Sequence, residues 1–382
     1  MLLQPHPCRP VVPRLEFPAD PCRHVLILPR NVQQEFLSRP TARAAFWEPP
    51  YSHVFSGRDL ARPERGTWLG ITRTGRLAVL TNLSESSSAA AIGKKSRGAM
   101  VTSFLTSSSN TTETTGISGL STGDWLHGLL SSGELKDVGG FSLFCGVLRP
   151  KLPAQNGMLE ELVVISNRAP VGEGVAETEA HWIAGTKGET HGLSNSLFDN
   201  PWPKVKLGQQ LLSRAVEIAA KEGVLEDVLV DRLFGVLSHD VFPGLDGTGS
   251  YKALLDALKH SVFIPVINVS AEPPTEKPKE VLVLPQDVYP EGETPSLPKG
   301  GDRKESEHAN GGSNGGTGDA PPTQMPWWQG QKYGTQQQTV ILVDKNGRVK
   351  YVERTLWDEN AEPLKEGERD VMGEWSIEGW GE

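Results

Sequence analysis

The stretch from residue 66 to residue 82, GTWLGITRTGRLAVLTN, decides the fold of this chain. Two short apolar runs flank the dipeptide Thr74-Gly75, a combination that favours a tight turn. We therefore expect an antiparallel hairpin from about Thr67 to Thr81. Its second strand ends in Thr81 and Asn82, two polar residues at the edge of an expected core. This strand end is the first candidate for a functional site.

The rest of the chain predicts further strands from apolar runs and helices from apolar residues at helical spacing. The predicted strands cover 24–28, 141–148, 162–167 and 181–185, and a second hairpin with an Asn346-Gly347 turn covers 339–356. The predicted helices cover 96–105, 124–130, 206–222, 225–237 and 251–264. Thr122 or Asp124 is expected to cap the second helix. Strands first, helices in the middle and a final hairpin favour an α+β fold with mainly antiparallel sheets.

Composition excludes several classes of function. The chain has 382 residues and a formal net charge of -9, and an acidic protein is a poor general binder of nucleic acid. Three cysteines, Cys8, Cys22 and Cys145, make no disulfide framework and favour a reducing compartment. No apolar run approaches the roughly 18–20 residues that span a bilayer, so no transmembrane segment is predicted. Prolines interrupt the N-terminal segment, which opposes both a secretory signal and a mitochondrial presequence helix.

The organisation along the chain follows shifts in composition. Residues 1–23 form an irregular N-terminal segment, and 24–270 form the first part of a folded domain. Residues 271–331 are rich in Pro, Gly, Glu and Ser, and residues 332–382 return to a hairpin and tail. The 271–331 insertion cannot bury enough apolar surface to offset its ordering entropy, so we expect it to be disordered.

Familiar catalytic and metal-binding motifs are absent from the sequence. It holds no CxxC and no HExxH pattern, so no metal site is predicted. His181 and His191 flank a glycine-rich turn, where loop histidines are more common than metal ligands. Ser194, in GLSNS, lacks the spacing of a serine nucleophile elbow. Core packing is the default role for four large side chains: Trp47, Trp68, Trp182 and Trp202.

Six blocks of sequence carry a resemblance to a known family. They are EFLSRPTARAAFW (35–47), GRDLARPERGTWLGITRTGRLAVLTN (57–82), SRGAMVTSFL (96–105), GFSLFCG (140–146), HGLSNSLFDNPWPKVKLGQQL (191–211) and YGTQQQTVILVDKNGRVKYVERTL (333–356). Their order and spacing resemble the NRDE family, whose eukaryotic members are the transport and Golgi organisation 2 proteins. The resemblance covers roughly residues 24–268 and 332–380.

This resemblance implies a fold and a cellular role. The fold is that of the N-terminal-nucleophile hydrolases, a four-layer sandwich with two antiparallel sheets between helix layers. The role is in Golgi organisation and protein secretion, with haem as a candidate cofactor or cargo and an unidentified protein or haem partner. The implied location is cytoplasmic, with association with the Golgi or mitochondria. No residue of the sequence identifies itself as an axial haem ligand.

The resemblance also implies the positions of site residues. In cysteine hydrolases of this fold the chain begins with the nucleophilic Cys, and its α-amino group, with a pKa near neutrality, serves as the base. An Asn at a strand end donates to the oxyanion. By resemblance, Thr81-Asn82 ends at the oxyanion position, and Asn195 matches a second Asn that holds the site. Together with Trp68 these are the candidate ligand-binding residues.

The sequence departs from the family pattern where the chemistry begins. Residue 2 is Leu2 rather than Cys, and the family motif is reduced to Glu35, preceded by Val32-Gln33-Gln34. Gln336 stands where the family carries Arg. The two asparagines and Glu35 are therefore interpreted as remnants of a site, and we expect no catalysis from the chain as written.

Two explanations account for these departures. The protein is a non-catalytic homologue, or its first 34 residues come from a wrong gene model and the true N-terminus carries Met-Cys. The second is favoured because residues 1–23 predict a poor strand where this fold needs a central one, although it does not explain Gln336. Three hypotheses of function follow: a non-catalytic factor in secretion or haem transfer, an amidase-like hydrolase of a C–N bond, and a scaffold whose insertion binds a partner.

Overall fold

The computed structural model of the protein describes most of the predicted domain. The described residues are 2–3, 24–35, 40–61, 63–84, 95–107, 121–151, 159–168, 179–183, 188–242, 251–268 and 332–381. The predicted insertion at 271–331 lies outside these residues, as do Cys8 and Cys22.

Fourteen strands and five α-helices make up the described chain. In chain order the strands are β1 (Leu2–Leu3), β2 (His24–Glu35), β3 (Thr41–Phe46), β4 (Val54–Asp59), β5 (Leu69–Thr72), β6 (Arg76–Asn82), β7 (Phe141–Val147), β8 (Leu162–Ser166), β9 (Glu179–Ile183), β10 (His191–Gly192), β11 (Ile267–Asn268), β12 (Lys332–Asp344), β13 (Arg348–Thr355) and β14 (Asp370–Ser376). The helices are α1 (Arg97–Thr106), α2 (Thr122–Ser132), α3 (Pro203–Glu222), α4 (Glu226–Leu237) and α5 (Tyr251–His260).

The first sheet contains the predicted hairpin. Seven antiparallel strands, β3 to β9, lie side by side in chain order. Leu69 pairs with Val79 across the hairpin of β5 and β6. Gly75 closes the turn with φ +82°, a backbone conformation that side-chain-bearing residues rarely adopt. The hairpin prediction is therefore confirmed.

The second sheet is built around β12, the longest strand. β12 pairs antiparallel with β2 on one edge and with β13 on the other, and β14 and β11 complete five strands. Gly347 closes the predicted 339–356 hairpin with φ +78°. β2 continues to Glu35, beyond the predicted end at residue 28, because its main chain stays paired with β12 as far as Tyr333. Among the described strands β12 is its only ladder partner, so β2 is an edge strand. Pro29 is tolerated on such an edge strand.

Apolar side chains define the layers of the fold. The first apolar cluster lies between the sheets and includes Leu28, Phe144 and Ile341. The second packs α1 and α2 onto the outer face of the seven-stranded sheet, and the third packs α3 and α4 onto the outer face of the other sheet. The predicted α+β class with two antiparallel sheets is confirmed. The relation to N-terminal-nucleophile hydrolases stays a prediction.

The beginnings of α2 and α3 differ from the predicted ones. The Ser121 hydroxyl accepts a hydrogen bond from the Asp124 amide at 3.0 Å and caps α2. The predicted cap, Thr122 or Asp124, is wrong because both residues lie inside the first turn. α3 begins at Pro203, before the predicted residue 206, since Pro is well suited to a first helical position. None of the described helices is both long and apolar enough to cross a bilayer.

Candidate functional site

The end of β6 is joined to the loop after β10 by three hydrogen bonds. The Thr81 hydroxyl donates to the Ser194 carbonyl oxygen at 2.8 Å. The Asn195 Nδ2 donates to the Asn82 carbonyl oxygen at 3.0 Å, and the Ser84 amide donates to the Asn195 carbonyl oxygen at 3.0 Å. We call this set the strand-end clasp. It brings together three of the predicted site residues from distant parts of the sequence.

The clasp uses the side chains of Thr81 and Asn195, and of Asn82, the predicted oxyanion donor, it uses the main-chain carbonyl oxygen. An oxyanion hole needs donors directed at the position that a substrate oxygen will take. The Thr81 hydroxyl instead donates to a protein carbonyl, and so does one of the two hydrogens of the Asn195 amide. Asn82 is largely buried, with 8% of its surface exposed. The arrangement therefore holds a loop onto a strand end.

Trp68, the fourth predicted ligand-binding residue, lies on another face of the sheet. Its side chain packs on the cluster formed with α1 and α2, and its carbonyl oxygen accepts from the Leu80 amide at 2.9 Å. Leu80 belongs to the same cluster, and successive strand residues face opposite sides. Thr81 thus faces away from the ring of Trp68. The role of Trp68 in binding stays a prediction.

The remnant motif lies on β2, beside a bulge in β12. Thr335 pairs with Gln33 and Gln337 pairs with Val32, so Gln336 is the extra residue between two ladder positions. The Gln336 side chain is 8% exposed, and within the described chain its Oε1 has no hydrogen-bond partner. Glu35 ends β2, where its main chain pairs opposite Tyr333.

Asn31, one residue before the remnant, was missed by the sequence reasoning. Its Nδ2 donates to the Leu237 carbonyl oxygen at 2.8 Å and to the Val262 carbonyl oxygen at 2.9 Å. It therefore ties β2 to the end of α4 and to the segment after α5. Ile27, Pro29 and Asn31 lie on the helix-facing side of β2, since alternate strand residues share a face. The polar side chain in this otherwise apolar series was the available signal.

A charged network of buried and partly buried side chains lies between the sheets, and the sequence did not reveal it. Arg30, Thr339 and Glu353 occupy adjacent positions on three neighbouring strands. Glu353, 4% exposed, accepts from the Ala44 amide at 3.0 Å and from the Tyr351 hydroxyl at 3.4 Å.

Burial shifts the pKa values of Arg30 and Glu353 in this network. It lowers the pKa of Arg30 to about 10, against the opposing influence of Tyr351 and Glu353. Burial also raises the pKa of Glu353, against the Ala44 amide and the charges of Arg43 and Arg30. Each charge therefore makes the other less costly to bury.

Cys145 is the only cysteine among the described residues, and its thiol is inert. The side chain is fully buried in the cluster beneath α1 and α2. Burial raises the pKa of the thiol far above its ordinary value, and the charge of Arg76 opposes this only in part. Because the thiolate is the reactive form, Cys145 is not a nucleophile in this position.

An open cleft of about 600 Å³ lies beside β9. Its lining residues are Glu161, Ala180, His181, Trp182, Ile183, Glu189, His191 and Phe198. The main chain of β1 pairs antiparallel with β10 next to this cleft, so Leu2 lies opposite Gly192.

The two histidines of the cleft are engaged with carboxylates. His181 Nε2 lies 3.5 Å from Asp199 Oδ2, and His191 Nε2 lies 3.1 Å from Glu189 Oε2. Both imidazole rings lie near the ring of Phe198, at centroid distances of 5.2 and 6.1 Å. The described residues contain no group of three His, Cys, Asp or Glu side chains suited to a metal ion.

Comparison with known proteins finds similarity over most of the chain. The model of the family described as Transport and Golgi organisation 2 matches residues 16–358. The Transport and Golgi organization 2 homolog of Mus musculus is 32% identical over 216 residues, which is 56% of this chain and 66% of the mouse protein. The Transport and Golgi organization protein 2 homolog of Homo sapiens is 34% identical over 216 residues, with the same shares of both chains. The aligned part thus spans slightly under two thirds of these relatives.

Proposed function

The chain belongs to the Transport and Golgi organisation 2 family, and from this premise we propose that it acts in Golgi organisation and protein secretion as a binding protein that forms no covalent intermediate. The family membership agrees with the resemblance predicted from the six sequence blocks. The relatives are named for transport and Golgi organisation, which motivates the cellular part of the proposal.

The strand-end clasp is the observation that supports binding over catalysis. The Thr81 hydroxyl and the Asn195 amide, on either side of the predicted oxyanion donor Asn82, donate to main-chain oxygens of the protein itself, and the Asn82 side chain is largely buried. Covalent acyl transfer also needs an activated nucleophile, and the thiol of Cys145 is buried and protonated. The clasp instead gives a rigid loop beside the cleft, which suits recognition of a ligand or partner.

Rescue of secretion tests the proposal. In cells that lack their own member of the family, transport of a secreted reporter through the Golgi is measured with and without this chain. We expect the wild-type chain to restore the transport rate. We expect a cysteine-free variant, with Cys8→Ser, Cys22→Ser and Cys145→Ala, to restore it equally well. Imaging of the same cells tests the predicted cytoplasmic location with Golgi or mitochondrial association.

The cellular role and the absence of a covalent intermediate can each be disproved separately. If the wild-type chain is expressed and leaves transport impaired, the role in Golgi organisation and secretion is wrong. If the wild-type chain restores transport and a folded cysteine-free variant does not, a thiol is needed, and the proposal of binding without a covalent intermediate is wrong. Circular dichroism of the purified variant establishes that it is folded.

Haem handling is implied by the family resemblance, but the cleft beside β9 suits haem poorly. Haem iron takes imidazole ligands in many proteins, and His181 and His191 could supply them. The haem propionates are anionic, however, and the described lining residues of the cleft include Glu161 and Glu189 but no Lys or Arg. Like charges would repel at contact distance. We therefore assign no haem site to this cleft.

A haemin titration checks this disagreement. We expect any Soret band of the wild-type protein at stoichiometric haemin to persist when His181 or His191 is replaced. The comparison variants are His181→Ala and His191→Ala. A band that either substitution abolishes would place haem in the cleft and overturn the assignment.

A further inference from the structure

β9 is an edge strand of the seven-stranded sheet. Its antiparallel ladder with β8 runs without interruption from Leu162 opposite Ile183 to Ser166 opposite Glu179. Beyond β9 the described chain adds no further strand to this sheet. An edge strand presents a row of main-chain N–H and C=O groups to which another strand can pair. Within the described sheet, one side of β9 is therefore open to a further strand.

β9 lacks the features that usually prevent an edge strand from pairing, which are Lys, Pro or a bulge. β3, at the opposite edge of the same sheet, carries Arg43 and has a bulge between Ala42 and Ala45. Neither Lys nor Pro occurs in the β9 sequence EAHWI, and its only acidic residue is the first, Glu179. Its register with β8 contains no bulge. Trp182 within it keeps 47% of its surface exposed, so this edge is suited to pairing.

The open cleft of about 600 Å³ follows this edge. Consecutive strand side chains face opposite sides of a sheet, so a cleft on one face would touch only alternate residues. Instead, the four consecutive residues from Ala180 to Ile183 all line the cleft, and no residue of β8 does. The cleft therefore lies along the side of β9 that faces away from β8. Four strand residues are about 13 Å long, which is enough for a short extended segment.

The charge of the cleft favours a basic occupant. Glu161 and Glu189 belong to its described lining, which contains no Lys or Arg. Asp199 adds a third carboxylate beside the cleft, with its Oδ2 3.5 Å from the Nε2 of His181. Trp182 and Phe198 also line the cleft. Aromatic rings attract cationic groups and pack against the apolar stems of Lys and Arg.

We propose that β9 pairs with an extended basic segment of a partner protein, which lies in this cleft. Main-chain hydrogen bonds to a strand edge give affinity, and the flanking side chains give specificity. The chain's own residues 269–331 are a poor occupant, because they contain ten Asp or Glu against five Lys or Arg. A second copy would bring like carboxylates together. The inference rests on the binding part of the proposed function and names the chemistry of the partner.

Calorimetric titration with the peptide acetyl-KTKVKTK-amide tests the proposal on the full chain. We expect this peptide to bind, and acetyl-ETEVETE-amide to bind at least about tenfold more weakly, because its carboxylates meet those of the cleft. Two further basic peptides carry N-methyl groups on their even-numbered or on their odd-numbered residues. Alternate residues of a paired strand direct their N–H groups to the neighbouring strand. One N-methylated peptide should therefore bind at least about tenfold more weakly, and the other within about threefold of the parent.

Two double variants of the protein test the role of the cleft carboxylates. Glu161→Gln combined with Glu189→Gln should weaken binding of the basic peptide by at least about tenfold. The control combines Glu160→Gln with Glu217→Gln, which removes the same charge from exposed positions outside the described lining. This control should change binding by less than about threefold. Circular dichroism checks that both variants are folded, and the peptide series on the wild type decides if either is not.

Several results would overturn the inference. They are wild-type protein that binds no basic peptide, equal binding of the acidic peptide, equal binding of the parent and both N-methylated peptides, and a folded Glu161→Gln/Glu189→Gln variant that binds like its control. Slow hydrogen exchange of every β9 amide in the free protein would assign the edge to a second copy or to residues 269–331, and would also contradict a partner peptide.

Secretion rescue separates this inference from the proposed function. A wild-type chain that restores transport and binds none of the peptides disproves the pairing at β9 and leaves the cellular role standing. A chain that binds the basic peptide as expected and leaves transport impaired disproves the cellular role and leaves the pairing standing.

Discussion

At the scale of single residues, the strand-end clasp depends on the amide of Asn195. Asn195→Ala removes the donor to the Asn82 carbonyl oxygen, which lies in a largely buried residue. We expect the free energy of unfolding to fall by about 1–3 kcal/mol, the cost of losing a hydrogen bond to a buried acceptor. Chemical denaturation measures this loss. The control Asn200→Ala, exposed in the same loop, should change stability by less than about 0.5 kcal/mol, and equal losses would contradict the clasp.

The lowered pKa of Lys204 makes the free energy of unfolding depend on pH in a defined direction. Burial lowers its pKa from 10.5 to about 8, so between these pH values the unfolded chain holds a proton that the folded chain has lost. Stability therefore rises with pH across this window, by about 3 kcal/mol in total, and the contribution is constant below pH 8.

The difference between the wild type and Lys204→Met isolates this effect. The free energy of unfolding is measured for both proteins from pH 7.5 to about 10.5, so that all other titrating groups cancel. We expect Lys204→Met to be the more stable protein below pH 8 and to lose this advantage as pH rises. A difference that is independent of pH would show that Lys204 is not desolvated.

Arg30 and Glu353 are expected to be energetically coupled. Arg30→Met or Glu353→Gln leaves one buried charge without the opposite one, which costs about 3–5 kcal/mol in comparable cases. The double variant should cost less than the sum of the two by at least about 1 kcal/mol. A double-mutant cycle by denaturation measures the coupling, and additive losses would mean that the two charges do not interact.

Sequence reasoning found only part of the residue-scale arrangement. Thr81, Asn82 and Asn195 were predicted as one site because the resemblance aligned them, and the structure brings all three together. Lys204 and Glu353 were missed. Both are charged residues whose default is exposure, and their burial depends on how distant elements pack. No local pattern carries that information.

At the scale of elements, turns and helix ends explain what the sequence could predict. The two hairpins were found because Gly75 and Gly347 are needed at positive φ. The extent of β2 was underestimated because Pro29 normally ends a strand, whereas pairing with β12 continues past it. The cap of α2 was misplaced because several hydroxyl and carboxylate side chains compete there, and Ser121 alone precedes the first turn.

Two glycine substitutions compare a required glycine with a dispensable one. At Gly75, with φ +82°, an added Cβ would lie 2.9 Å from the Leu148 carbonyl oxygen. Gly75→Ala should therefore lower the free energy of unfolding by more than about 1 kcal/mol. Gly128 lies within α2, and a Cβ added there would meet no atom within 4 Å, so Gly128→Ala should raise stability by about 1 kcal/mol. Thermal unfolding measures both, and changes of the same sign would contradict this comparison.

At the scale of the whole molecule, the chain leaves and re-enters the second sheet at paired positions. Asn268 of β11 lies opposite Lys332 of β12 in the ladder. A two-residue Asn-Gly connection is sufficient to join antiparallel strands at such positions. We expect replacement of residues 269–331 by Asn-Gly to leave the fold intact and to raise stability by up to about 3 kcal/mol through a shorter loop.

Unfolding and secretion rescue together give the outcome of this replacement. Loss of cooperative unfolding would mean that residues 269–331 contribute to the domain, contrary to this expectation. Retained folding with loss of rescue would support the scaffold hypothesis, in which the insertion binds a partner. A connection of the original length made only of Gly and Ser serves as the control, because it keeps the spacing and removes the sequence.

The pairing of Asn268 with Lys332 also has a consequence for the evolution of the protein. Adjacent strands lie only about 4.8 Å apart, so lineages can lengthen, shorten or exchange the sequence between these two residues without altering the core. Selection on mutations in this segment depends on the function of the segment itself. Selection on mutations at the clasp depends on the fold. One gene thus contains two parts that can evolve at different rates. Among species, the number of residues between Asn268 and Lys332 should vary more than the identity of the clasp residues.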